Sequence, residues 1–171
     1  TSLSGDHNFA AGQCALYSNW GGCYNTAIGS NTLRDNTTGC HNNAIGKRAL
    51  QSHTTGDYNT AIGADALYAN TTGTGNVAVG AYGALCSNTT GEYNTALGQY
   101  ALASNIDGDF NTGIGYLALR QNTTGGYNTA IGLNALRCNT TGDYNTAIGN
   151  MALFTSLSGC HNFAAGLCAL Y

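Results

Sequence analysis

The octapeptide Gly-Asp-Tyr-Asn-Thr-Ala-Ile-Gly occupies Gly56–Gly63 and returns unchanged at Gly142–Gly149. It is one phase of a repeat that fills the chain. Each copy is anchored by the Asn of N-x-[A/G]-x-G, at Asn8, Asn25, Asn42, Asn59, Asn76, Asn94, Asn111, Asn128, Asn145 and Asn162. Successive anchors lie 17 residues apart, except for one gap of 18 between Asn76 and Asn94, where an extra residue sits near Tyr82-Gly83. A fixed period of this length is the signature of stacked coils. Positions are numbered here from the anchor as column 0, with the added residue of coil five discounted.

The columns are strongly restricted. Column 2 is Ala in every coil but one, which has Gly113, and column 4 is always Gly. Column 8 is always Leu, from Leu16 to Leu170, and column 14 is Gly from Gly22 to Gly159. The residue before the anchor is aromatic or His in every coil except at Gly75. So many Gly and Asn-Thr-Thr-Gly segments would break helices repeatedly. The spacing predicts a short strand such as Tyr58–Ile62, a Gly corner, a second short stretch around Ala-Leu, and an Asn-Thr-Thr-Gly turn. The fold class is therefore all-β: a parallel β-solenoid, or β-roll, of ten coils forming one domain over residues 1–171. Stacked coils set equivalent residues ~4.8 Å apart, so each column becomes a ladder.

Strand alternation puts bulk on one side (Tyr58, Thr60, Ile62) and small residues on the other (Asn59, Ala61, Gly63). Both sides hold their character through all the coils. The reading is that one side fills the coil interior and the other meets a neighbouring chain; recent duplication is the competing explanation. Columns 5, 6, 9 and 10 vary (Lys47, Arg48, Arg34, Asp35, Gln51) and read as solvent-facing.

Composition narrows the function. Charged residues are 8% and apolar residues 43%, which suits an ordered chain. A net charge of −3 with five Lys plus Arg argues against nucleic acid or an anionic membrane as partner. No apolar run approaches a membrane span. The start at Thr rather than Met, with no signal peptide visible, reads as a processed or trimmed product. Seven cysteines without metal-ligand spacing suggest an oxidising compartment.

The phrase Asn-Thr-Ala-Ile-Gly-x-x-Ala-Leu-x-x-Asn-Thr-Thr-Gly (Asn59–Gly73, Asn128–Gly142) resembles repeats of bacterial and phage fibre proteins, and N-[ST]-A-[IVL]-G resembles the head repeats of trimeric autotransporter adhesins. The resemblance covers all ten copies. It implies a left-handed parallel β-roll, often trimeric, in an extracellular fibre.

The two ends match. Thr1–Tyr17 and Thr155–Tyr171 differ only at Asp6/Cys160 and Gln13/Leu167, and the gaps sum so that Thr1 placed after Tyr171 continues the repeat in register. Matching coils without polar caps invite head-to-tail stacking, a heterologous contact that grows a filament. Both end coils also replace the Thr and branched residue of columns 1 and 3 by Phe9 with Ala11 and Phe163 with Ala165. The expected subunit junction comprises these four residues with Leu170 and Tyr171. Cys14 and Cys168 share column 6 and would sit one coil apart there, a spacing that suits an intersubunit disulfide. Cys23 and Cys40 share column 15 in successive coils and suit an intrachain bond; Cys86, Cys138 and Cys160 remain for lateral cross-links.

Other chemistry is weakly signalled. Cys40-His41 and Cys160-His161 pair ligand types, but strand neighbours point to opposite faces, so neither a metal nor another cofactor is expected. Glu92 and Asp109 stack in one column near Asp107; this would favour a cation such as Ca²⁺, yet solvated carboxylates are the simpler reading. No nucleophile–base arrangement stands out, and an enzyme is not expected. Asn36, Asn70, Asn88, Asn122 and Asn139 form glycosylation sequons, but the Asn column continues at Asn19 and Asn105, which do not, so the segment reads as a turn. The expectation is a structural subunit of an extracellular homopolymeric filament, with lateral or trimeric association open. The alternatives are an adhesin or receptor-binding shaft and, on the Thr ladders, an ice-binding solenoid.

Overall fold

A computed structural model describes residues 5–171, so the Thr1–Ser4 part of the repeated TSLSG phrase lies outside the described residues. Ten strands of three residues each, from β1 (Phe9–Ala11) to β10 (Phe163–Ala165), form one parallel sheet in sequence order, with no helix among the described residues. Neighbouring strands pair in strict register, as in Thr129↔Thr146, Ala130↔Ala147 and Ile131↔Ile148. The chain is the parallel β-solenoid that the period predicts.

The strands are shorter than the spacing predicts. Tyr58 is not extended with Thr60–Ile62: its φ is 59°, and every aromatic or His of column −1 from His7 to His161 is likewise left-handed. Column 8 Leu is left-handed too (Leu67, φ 51°), so the expected second extended stretch is a run of turns. Such conformations are unfavourable for L-residues and persist only where the surroundings over-determine them. Here each flip aims an N–H at a neighbouring coil: Tyr24 N donates to the Asp6 carbonyl at 3.0 Å and Leu33 N to the Ala49 carbonyl at 3.0 Å.

Two columns of Gly are dictated by the stack. Gly98 (φ +132°) would place a Cβ 2.7 Å from the Gly115 carbonyl oxygen of the next coil. Gly108 would place one 2.7 Å from Asn105 Oδ1, inside the amide ladder.

The small side of the strand faces inward. Column 2 Ala, column 7 Ala and column 8 Leu fill the bore, fully buried through the inner coils (Ala61, Ala66, Leu67). The remaining interior is amide. Column 0 Asn is buried, and its Oδ1 accepts the backbone N–H of the next anchor, as from Asn42 N to Asn25 Oδ1 at 2.9 Å. Its Nδ2 closes the turn onto the column 14 carbonyl, as from Asn25 to Gly39 at 2.8 Å. A second ladder runs in column 11, where Asn105 Nδ2 donates to Asn88 Oδ1 and Asn122 Nδ2 to Asn105 Oδ1, both at 2.8 Å. Buried amides are thus paired almost throughout, as burial requires. The sequon asparagines belong to this ladder at 0% exposure, as the turn reading expects.

The added residue of coil five is Tyr82. Gly83 N bonds the Ala64 carbonyl at 3.4 Å, the place that Asp65 N takes on Lys47 one coil earlier, and Tyr82 is pushed outward.

Candidate self-assembly surfaces

The end coils differ from the rest in what they leave open. On the first, Gly5, Asn8, Ala10, Ala15, Leu16 and Asn19 line a pocket of about 280 Å³ at the mouth of the bore. On the tenth, Leu170 continues the Leu column but is 63% exposed, against 0% for Leu119 within the stack. Phe9 and Phe163 are exposed in column 1 of β1 and β10, beside Ala11 and Ala165 in column 3. Tyr171 stacks on Phe154 at 5.4 Å and 6° in column 9, the column that Tyr17 begins. Cys14 and Cys168 are both exposed, both left-handed (φ 55° and 52°), and stand at opposite ends of the stack.

All seven cysteines are free thiols in the structure. Cys23 and Cys40 stand on adjacent rungs, as the expected bond between them requires, and their sulfurs serve column 15 as acceptors. Asp6 N donates to Cys23 Sγ at 3.4 Å and Cys23 N to Cys40 Sγ at 3.1 Å. The carboxylates of this column do the same: Cys40 N reaches Asp57 Oδ1 and Glu92 N reaches Asp109 Oδ1, each at 2.7 Å. Cys160 Sγ takes Asp143 N at 3.3 Å. Cys, Asp and Thr side chains of this column thus accept the backbone N–H one coil earlier, whereas Gly126 offers Asp109 N no side chain. This gives the stacked carboxylates a role other than cation binding, and no cluster of three metal-ligating side chains occurs among the described residues.

Cys86 lies half-buried in a groove of about 500 Å³ that it lines with Arg48, Asp65, Tyr68, Ala69 and Ser87. Burial pushes its thiol pKa up, a shift that the Ser87 hydroxyl opposes. The groove's cation is already committed: Arg48 grips Asp65 through two bonds of 2.7 and 2.8 Å and lies over the Tyr68 ring at 5.3 Å. Cys138 is half-buried and apart from it.

The outer face carries the bulk. Column −1 is a stack of rings, His7–Tyr24–His41–Tyr58 at 4.9 Å and Tyr93 through His161 at 4.8–5.2 Å, interrupted at Gly75. Thr of column 1 and Ile, Val or Leu of column 3 lie beside it, with exposures of 37–47% at Ile28, Ile45, Ile62, Leu97, Ile131 and Ile148.

One buried residue was not singled out from the sequence. His53 replaces Asn in column 11, at 0% exposure. Its Nε2 lies 2.7 Å from the Gly56 carbonyl and its Nδ1 3.0 Å from Asn70 Nδ2. The first contact requires N–H at Nε2 and the second a lone pair at Nδ1, so the ring is neutral. Burial lowers its pKa, against the raising effects of Gly56 and Asp57. No donor remains for Asn36 Oδ1, which is left without a partner. Asn139 Oδ1 is orphaned likewise, where Ser156 ends the ladder.

Comparison with protein-family models, with curated proteins and with solved structures finds no match for this chain.

Proposed function

We propose that this chain is a structural subunit of an extracellular filament, in which the tenth coil of one copy stacks on the first coil of the next. The observation that carries the reading is that these two coils depart from the inner repeat together and in columns that would meet. Continued at the period of the repeat, His161 falls on His7, Phe163 on Phe9 and Tyr171 on Tyr17, each ring on a ring. Leu170 enters the pocket around Leu16. The hydrogen-bond pattern of the inner coils extends the same way. Phe163 N would donate to the Asn8 carbonyl as Thr146 N does to Asn162, and Gly12 N to Ala165 as Gly166 N does to Ile148. Cys160 N would find Asp6, as Cys40 N finds Asp57. Cys14 and Cys168 come one rung apart, within reach of a bond that makes the junction covalent.

The resemblance to fibre repeats and the cysteine content support an extracellular location. The adhesin alternative gains little from the aromatic column: rings stacked face on face present edges, not the open faces on which sugars pack.

The test is native material run on non-reducing and reducing gels, with mass spectrometry of disulfide-linked peptides. A high-mass ladder collapsing to 17.5 kDa on reduction, with a Cys14–Cys168 peptide, is the expected result. A monomer in both lanes with both thiols alkylatable would overturn the covalent junction. Helical reconstruction would show a rise of roughly 48 Å per subunit, ten rungs at the strand spacing.

A further inference from the structure

We infer that the outer face of columns −1, 1 and 3 is a lateral interface, and that its occupant is the same face of a second copy, aligned in parallel. None of the five Lys and Arg or eight Asp and Glu residues falls in these columns. The face is a sheet of Thr and aliphatic columns flanked by stacked rings, about 48 Å long and, counting the ring column beside the three-residue strand, about 13 Å wide. That is roughly 600 Å² per copy, or about 1,250 Å² for a pair, just inside the range of stable interfaces and at the upper end of what monomers usually leave as one apolar patch. Periodicity selects a like partner. Ridges repeating at the strand spacing interdigitate along their whole length only with ridges of the same repeat.

Charge selects the orientation. One edge of the face is column 15, with Asp6, Asp57, Glu92, Asp109 and Asp143; the other edge, column 5, has no acid and holds Lys47, the single lysine. A two-fold axis along the stack sets the acidic edge of one copy against the Lys47 edge of the other. An antiparallel pair would set acidic edge against acidic edge. Parallel pairing also lets both copies continue in one direction, although the inference stands without head-to-tail growth.

The first experiment is mass per length of the native filaments by scanning transmission electron microscopy or, if subunits do not join end to end, sedimentation of the free chain. The expected value is two chains, twice 17.5 kDa, per ~48 Å of length. Ile62→Lys with Ile131→Lys, both outside the core, should halve it to one chain, with circular dichroism and filament length unchanged. A zero-length carbodiimide cross-link on mixed light and heavy chains should join Lys47 of one copy to Asp57 of another, one rung on. One chain per ~48 Å in the wild type, three chains per layer, a pair that survives both lysines, or no interchain Lys47–Asp57 product would each overturn the parallel pair. Free dimers that the lysines dissociate would support it while refuting end-to-end growth.

Discussion

Replacing His53 by Asn should stabilise the protein and remove part of its acid sensitivity. The substitution restores the column 11 ladder. The introduced amide Nδ2 would reach Asn36 Oδ1 as Asn36 now reaches Asn19 at 2.7 Å, and the introduced Oδ1 would accept from Asn70. Satisfying one buried acceptor is worth about 1–3 kcal/mol. Loss of the buried ring offsets some of this, leaving a net gain of about 1–2 kcal/mol at pH 7.5. For a chain of this size that is a rise in melting temperature of roughly 2–8 °C. The pH dependence follows from the lowered pKa. The unfolded chain binds a proton at His53 below about pH 6.5, while the folded chain does not until its lower pKa is reached. Stability from the neutral ring is therefore complete above about pH 6.5 and is lost as pH falls, by up to about 1.4 kcal/mol per unit. The variant lacks this loss. His7, His41 and His161 are present in both proteins and cancel in the difference. Chemical denaturation of both proteins at pH 7.5, 6.0 and 5.0 should show a gap that widens on acidification. A variant less stable at pH 7.5, or a gap constant with pH, would refute the assigned tautomer and the orphaned oxygen. Ser156→Asn supplies Asn139 Oδ1 in the same way and is the pH-independent control.

Three further outcomes follow from the interior. Asn111→Ala strips the acceptor of Asn128 N and the donor to the Gly125 carbonyl, and should lower stability by about 3 kcal/mol or more, read as a denaturation midpoint. Gly98→Ala sets a methyl against the Gly115 carbonyl at a φ that Ala disfavours; its loss should exceed about 1 kcal/mol, with new proteolytic cuts near coils six and seven. Expression in a glycosylating host should leave Asn36, Asn70, Asn88, Asn122 and Asn139 unmodified by glycopeptide mass spectrometry, because each amide nitrogen is buried and donating.

The solenoid was legible because its signal is redundant: column 4 Gly and column 8 Leu recur at one period through ten coils. Strand alternation separated a small side from a bulky one without saying which turns inward; the structure puts Asn59 and Ala61 in the bore and Tyr58 and Ile62 outside it. The left-handed positions were not legible. Tyr, His and Leu carry no preference for that conformation, and only Asn31, Asp65 and Asn134 in column 6 hint at it. What fixes them is the coil above and below, a tertiary cause that no local propensity contains. The roles of column 15 and of His53 were hidden for a related reason. Each is a hydrogen-bond partner of a residue one period away, so its chemistry is visible only when successive repeats are compared for what they exchange.

The direction of the column 11 ladder has one more effect. From Asn139 back to Asn88 every amide donates toward the amino-terminal coil, and those of Asn122, Asn105 and Asn88 also accept from the carboxy-terminal side. Their dipoles add, and hydrogen bonds in such a chain polarise one another. His53 accepts from Asn70 but has no second N–H for Asn36 Oδ1, and so interrupts this chain of dipoles. The rod is therefore an electrical vector. Rods packed with their vectors aligned make a polar material whose dipoles sum along one axis, whereas rods packed head against tail cancel that axis.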